Sequence, residues 1–280
     1  MAHPFLAVIG GGNMGKAIIT GGVQARILSP SRVCVAEHDE GRRTRIAATG
    51  VLVFRSASEA MQWLTERAPT PDAGQVLLAI KPQSLASTCS ECQDSGPIGA
   101  RVIISILAGT TTQRLREQFG EQSKIIRAMP NLPAAIGQGA TAISLGAGAN
   151  DIDAMFANQI FHGVGSLVLR VDESLMDAFT ALAGSGPAYL FYLAEAMIAA
   201  AIKMGFSAAD AGSITRATLA GSSMLLAQST DDPAALRAAV TSKGGTTMAA
   251  TTILETHEVA RRIVEAIIAA RDRGREIASA

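Results

Sequence analysis

Gly10-Gly11-Gly12-Asn13-Met14-Gly15 has the form G-x-G-x-x-G and lies between the apolar run Phe5–Ile9 and a helical stretch opening at Ala17-Ile18-Ile19. In that setting the spacing has a mechanism. Gly10 permits a tight turn, Gly12 lets backbone approach a pyrophosphate, and Gly15 lets a helix pack against the strand. The helix N-terminus, reached through Asn13 and Met14, turns free N–H groups and partial positive charge toward phosphates. A glycine-rich turn with no ligand is the alternative. Glu37 ends the second apolar run, Arg32–Ala36. A carboxylate there accepts from ribose hydroxyls and repels a 2′-phosphate. Arg42 and Arg43 follow and could neutralise that phosphate instead, or all three could be solvated charges at a helix start. NAD and NADP both stay open.

Two further segments end apolar runs: Ala79-Ile80-Lys81-Pro82-Gln83 and Ser105-Ile106-Leu107-Ala108-Gly109. Ligands of open α/β sheets lie outside the carboxyl ends of the strands. Ala79, Lys81, Pro82, Ala108 and Gly109 are therefore expected beside the nicotinamide half of a dinucleotide. Later in the chain Gly184-Ser185-Gly186-Pro187-Ala188-Tyr189 feeds a long helix. Val240-Thr241-Ser242-Lys243-Gly244-Gly245-Thr246-Thr247 opens another, with hydroxyls and backbone N–H groups at its N-terminus. The latter suits a small carboxylate, an ordinary capped helix start being the alternative. The four histidines, His3, His38, His162 and His257, fall outside these segments and read as surface residues. Cys89-x-x-Cys92 lacks a second ligand pair or a redox setting, so no metal site is expected, and Cys34 reads as a core thiol.

These residues need a scaffold. Apolar runs at Phe5–Ile9, Arg32–Ala36, Val51–Phe54, Gln75–Ile80, Val102–Leu107, Lys124–Arg127, Ala140–Leu145 and Ser166–Val171 alternate with helical stretches such as Gln113–Phe119 and one capped by Asp151. That alternation predicts βαβ units and a mostly parallel, doubly wound sheet. The Pro-rich stretch Arg67–Gln75 reads as a surface loop. After about Val171 only helices are predicted: one from Pro187, one from Ser207-Ala208-Ala209-Asp210, one from Asp232-Pro233, and a last from Glu258 to Ile277. The expected domains are residues 1–171 and 172–280. Ala188–Ala201 is apolar on most faces and must be buried, which a domain of its size achieves most readily against a second copy.

The chain has 280 residues, 48% apolar and 4% aromatic, with 24 basic and 24 acidic side chains. The balance gives no basic footprint for nucleic acid. Apolar stretches read as too short or too interrupted to span a bilayer. No leader is visible and the three cysteines form no framework, so a cytoplasmic protein is expected.

Taken in order and spacing, the Gly10–Gly15 loop, Ala79–Gln83, Arg127-Ala128-Met129-Pro130-Asn131-Leu132-Pro133, Gly184–Tyr189 and Val240–Thr247 resemble pyrroline-5-carboxylate reductases over nearly the whole chain. The resemblance implies a Rossmann domain followed by an all-α dimerisation domain, and reduction of Δ1-pyrroline-5-carboxylate by NAD(P)H to L-proline. It implies homodimers, which in several members of that family assemble into decamers. It also implies that Thr247 hydrogen-bonds the ring nitrogen, while Val240, Ser242, Gly244, Gly245 and Thr246 shape the carboxylate site. The chain departs from the family's usual residues at Ala183, Lys243, Leu132, Glu37 and near Ala57, and in the length of the Arg67–Gln75 loop. A related 3-hydroxyacid or imine dehydrogenase, or a nucleotide-binding regulatory protein without turnover, are the competing readings.

Overall fold

The computed structural model describes residues 3–279 and divides them between two compact units: Met1–Ser185 with Ala270–Ala280, and Gly186–Ala269. The break falls at Ser185, fourteen residues beyond the expected end of the first domain, and the last part of the final helix belongs to the first unit.

The first unit is built on eight strands: β1 (Phe5–Ile9), β2 (Val33–Ala36), β3 (Leu52–Phe54), β4 (Gly74–Leu78), β5 (Val102–Ser105), β6 (Lys124–Met129), β7 (Gly139–Leu145) and β8 (Gly165–Arg170). Their order is β3-β2-β1-β4-β5-β6-β7-β8, and only the β6–β7 pair is antiparallel. The first six strands thus form the doubly wound dinucleotide-binding arrangement, whose order reverses between β1 and β4 and leaves a crevice there. Six helices accompany them: α1 (Asn13–Gln24), α2 (Glu40–Ala47), α3 (Ala57–Arg67), α4 (Leu85–Gln93), α5 (Thr112–Phe119) and α6 (Asp151–His162).

Both sheet faces are covered, so the central strands are apolar without alternation. Successive residues serve opposite cores. Leu6, Val8, Val33, Val35, Leu77, Ile104 and Ile126 pack on one side. Ala7, Ile9, Cys34, Ala36, Val76, Leu78, Ile103 and Ile125 pack on the other. Cys89 and Cys92 also lie in this second core, which explains their spacing: with Leu85 they form the inward stripe of α4. Burial raises both thiols, Cys92 to about 12 with help from its acidic neighbours, so neither is a ready thiolate.

Local signals set the boundaries. Ser56 and Glu59 form a reciprocal capping box on α3. α6 is capped by Asn150, which accepts from the amides of Ile152 and Asp153; the expected cap, Asp151, is the first helical residue. The Pro-rich loop is held from beneath. Buried Arg101 donates to Ala68 O at 2.6 Å and to Thr70 O at 3.1 Å. His3 stacks on Phe156 at 5.5 Å and is half-buried rather than on the surface. β8 is followed by a short turn, α7 (Met176–Phe179) and a π-helical turn, Thr180–Gly184. Arg127, almost fully buried on β6, pairs with Glu173 at 3.2 Å and Asp177 at 3.3 Å. Glu173 also accepts from the amide and hydroxyl of Thr112, which binds the start of α5 to the same cluster.

The second unit contains α8 (Gly186–Lys203), α9 (Ala208–Gln228), α10 (Pro233–Ala239), α11 (Thr246–Thr256) and most of α12 (Val259–Ser279). The expected starts hold: Ser207 accepts from the Asp210 amide, and Asp232 caps α10 with Pro233 at its first position. α11 and α12 are separated at Glu258, whose φ of +50° breaks the helix. Ala201, Ala211 and Thr215 are this unit's only buried side chains, while Phe191, Leu193, Leu225, Leu254 and Val264 are each about half exposed or more. By length and composition Glu173–Lys203, at 31 residues, is apolar enough to cross a bilayer, so the expectation that every apolar stretch falls short does not hold for this one.

Candidate active site

The glycine loop sits at the mouth of the β1/β4 crevice, and each glycine has its own reason. At Gly10, φ is +104° and a Cβ would lie 2.4 Å from Ala79 O. At Gly15 a Cβ would lie 2.3 Å from Gly10 O. Close backbone approach dictates both. Gly12 is different: a Cβ there would meet nothing within 4 Å, so its backbone faces open space. Gly12 caps α1 without a side chain, and the first helical bond runs from Lys16 N to Gly12 O at 2.8 Å. The amides of Asn13, Met14 and Gly15 therefore have no intrahelical acceptor. This is a cradle into which a pyrophosphate fits.

The adjoining cavity, about 460 Å³, is lined by Gly10, Gly12, Asn13, Met14, Glu37, Ala79 and Lys81 among the expected residues. Gly15 and Pro82 stand beside it without lining it. Ala108 and Gly109 line no part of it; Gly109, at φ +65°, packs under Ile277 of α12.

Glu37 is the best-fixed polar group here. It is 8% exposed. One carboxylate oxygen accepts from Gly11 N at 2.9 Å and the other from Asp39 N at 2.9 Å. A Cβ on Gly11 would lie 2.3 Å from Ile46 Cδ1, the end of a side chain that could turn away, and 3.2 Å from Glu37 Oε2, so a larger residue there would crowd the carboxylate. Arg42 lies 3.7 Å from the carboxylate and lines the cavity. Arg43 does not line it; its guanidinium donates to Glu37 O and His38 O at 3.1 and 2.6 Å.

Other lining residues escaped the sequence reading: His38, Ser84, Ser87, Thr88 and Glu91. His38 is the histidine that does reach a site segment. The other four share one face of α4 and its preceding turn at helical spacing, a polar stripe that adjoins the buried Leu85, Cys89 and Cys92, with Thr88 itself buried at the join. That periodicity was the available signal. Glu91 also accepts from Ala57 N at 3.2 Å, which ties α4 to the start of α3.

The segment after β6 has a structural logic. Asn131 donates from its side-chain amide to Ala183 O at 3.0 Å and accepts from Ala140 N at 2.9 Å. It thereby joins the Met129-Pro130-Asn131 turn to β7 and to the π-helical turn. π turns recur at functional positions.

In the second unit, Ser242–Gly245 is a β-turn. Gly245 N donates to Ser242 O at 3.0 Å, and Gly244 takes φ +73°. The amide of Gly244 is directed at Met248 Sδ, 3.4 Å away. The first bond of α11 runs from Ala249 N to Gly245 O. The free donors at this end are thus the amides of Thr246, Thr247 and Met248, with the hydroxyls of Ser242, Thr246 and Thr247 on the same short segment. Val240, 65% exposed, closes the preceding helix. Cofactor-type and carboxylate-type residues thus cluster separately, one group in each unit.

Among known proteins, the family model described as pyrroline-5-carboxylate reductase dimerisation matches residues 173–277, and one described as NADP oxidoreductase, coenzyme F420-dependent, matches residues 5–109. The chain is 34% identical to the pyrroline-5-carboxylate reductase of Arabidopsis thaliana over 270 residues, 96% of this chain and 94% of that one. The structure of a pyrroline-5-carboxylate reductase from Coxiella burnetii superposes with a TM-score of 0.85 at 30% identity, covering 99% of each chain. That of the Plasmodium falciparum pyrroline carboxylate reductase with NADP bound gives 0.83 at 24% identity, again covering 99% of each chain.

Proposed function

The chain belongs to the pyrroline-5-carboxylate reductase family, and from that membership we infer that it reduces the C=N bond of 1-pyrroline-5-carboxylate to give L-proline. It is an NAD(P)-dependent oxidoreductase of proline biosynthesis, and it is oligomeric. The carrying observation is the near-full-length identity to a named reductase, supported by a glycine cradle built for a dinucleotide.

A bound nicotinamide nucleotide supplies the hydride. The protein's own work is positioning and electrostatics. The free amides of the first turn of α11 and the Ser242 hydroxyl hold the substrate carboxylate. Val240, Gly244, Gly245 and Thr246 shape that turn, with Gly244 providing the positive φ. The Thr247 hydroxyl hydrogen-bonds the ring nitrogen. A protonated imine is already electrophilic, so no strong protein acid is required. Gly10, Gly12, Asn13, Met14 and Gly15 cradle the pyrophosphate, Glu37 meets the adenosine ribose, and Ala79, Lys81, Pro82, Ala108 and Gly109 border the nicotinamide side.

The functional division falls at 171/172, a reading supported by the dimerisation match beginning at residue 173. The exposed apolar faces of α8, α9 and α11 are covered by a second copy of the chain, and dimers associate further into decamers. The working compartment is the cytoplasm, without nucleic-acid or membrane partners.

Initial rates on Δ1-pyrroline-5-carboxylate with NADH and with NADPH test the reaction. Robust turnover with either nucleotide is expected. Nucleotide binding by a folded protein that turns over no cyclic imine would replace this reading with a non-catalytic binder.

A further inference from the structure

We propose that Glu37 makes this enzyme select NADH over NADPH by excluding a 2′-phosphate from the ribose end of its cavity. The inference rests on the nucleotide-dependent reading above and goes one step further, to which nucleotide is used.

Three observations carry it. First, the carboxylate cannot swing away. It is buried, and its two oxygens satisfy the amides of Gly11 and Asp39. Rotating it out would orphan an amide of the phosphate-binding loop itself. Gly11 has no side chain, which is what lets Glu37 approach this loop so closely. Second, each carboxylate oxygen keeps a lone pair beyond the one its backbone amide uses, so the group can still accept from ribose hydroxyls. A phosphate at the same place would set charge against charge.

Third, the nearby arginines do not form a phosphate clamp. Arg43 donates to two backbone carbonyls and does not line the cavity. Arg42 does line it, but its charge faces Glu37 at 3.7 Å and is balanced there. Glu91 adds a second acid to the same lining. An Arg cluster free to pair with phosphate, the usual device for 2′-phosphate recognition, is not assembled among the described residues.

The test is equilibrium binding to the full-length protein, followed by nucleotide fluorescence. NADH and NADPH are compared, with ADP-ribose and its 2′-phosphate as hydride-free probes. Wild-type protein is expected to bind the forms lacking the 2′-phosphate about tenfold or more tightly, the scale of one unrelieved like-charge contact. Glu37→Gln is expected to shrink that ratio about tenfold, and Arg42→Ala is expected not to raise it. Equal or tighter binding of NADPH by the wild type would overturn the proposal. So would Arg42→Ala weakening only the 2′-phosphorylated forms, because Arg42 would then be leaving Glu37 to clamp the phosphate. The wild-type ratio decides the matter even if Glu37→Gln fails to fold. Selective NADH binding without imine turnover would sink the reaction and leave this inference standing; imine turnover driven preferentially by NADPH would do the reverse.

Discussion

The two units bury their apolar residues in opposite ways. In the sheet unit, Leu6, Ile18, Leu77, Ile103 and Ile104 are fully enclosed by their own chain. In the helical unit, α11 buries nothing, and Phe191, Leu225 and Ile253 are left to solvent. Apolar content therefore does not measure self-sufficiency. The sheet unit has two cores because alternate residues of each strand face different helices. Helices that are apolar on several sides cannot close around themselves in so small a unit, which is why a second copy is proposed to cover them.

The strongest way to break this contrast is to charge the exposed face. Phe191→Glu is expected to give monomers by light scattering and to cut imine reduction about a hundredfold or more, while nucleotide binding at the glycine cradle survives. Retention of the oligomer would show that this face is not the covered one. Ile104→Ala, in the sheet core, is expected to cost about 2–5 kcal/mol in denaturant unfolding, whatever the protein concentration. Its counterpart Leu254→Ala is expected to show a loss of Tm that grows on dilution, as the proposed cover by a second copy requires. Identical concentration dependence for both variants would erase the distinction.

Smaller effects sharpen it. Thr247→Ala is expected to lower turnover about tenfold, near 1.4 kcal/mol of transition-state stabilisation, without altering assembly; unchanged kinetics would remove Thr247 from its assigned role. Lys243 occupies the second position of the Ser242–Gly245 turn, where the fixed φ of proline is favoured. Lys243→Pro is expected to stabilise the protein by about 0.4–1 kcal/mol, and a lower Tm would mean that this backbone resists the ring.

The sheet was legible because all eight apolar runs were short, rich in β-branched residues and separated by helical stretches. The glycine loop was legible because its spacing follows from backbone contact. Residues 84, 87, 88 and 91 form no motif in the sequence, and the C-x-x-C spacing of Cys89 and Cys92 on the same helix is only core periodicity. Glu37 was visible, but its two amide bonds were not, since they depend on how β2 meets the Gly11 turn. Arg101 beneath the Pro-rich loop is likewise a contact across more than thirty positions, which no local pattern encodes.

Ile277 lies over Gly109, in a unit that otherwise ends at Ser185. A segment far along the chain from the strands thus completes a body whose sheet was available long before. During translation the sheet and its nucleotide crevice can form early, as N-terminal parts of a chain generally do, but the turn after β5 stays uncovered until the helical region has emerged. Arrival of the Ile277 contact, rather than completion of the sheet, is the event that seals the first unit.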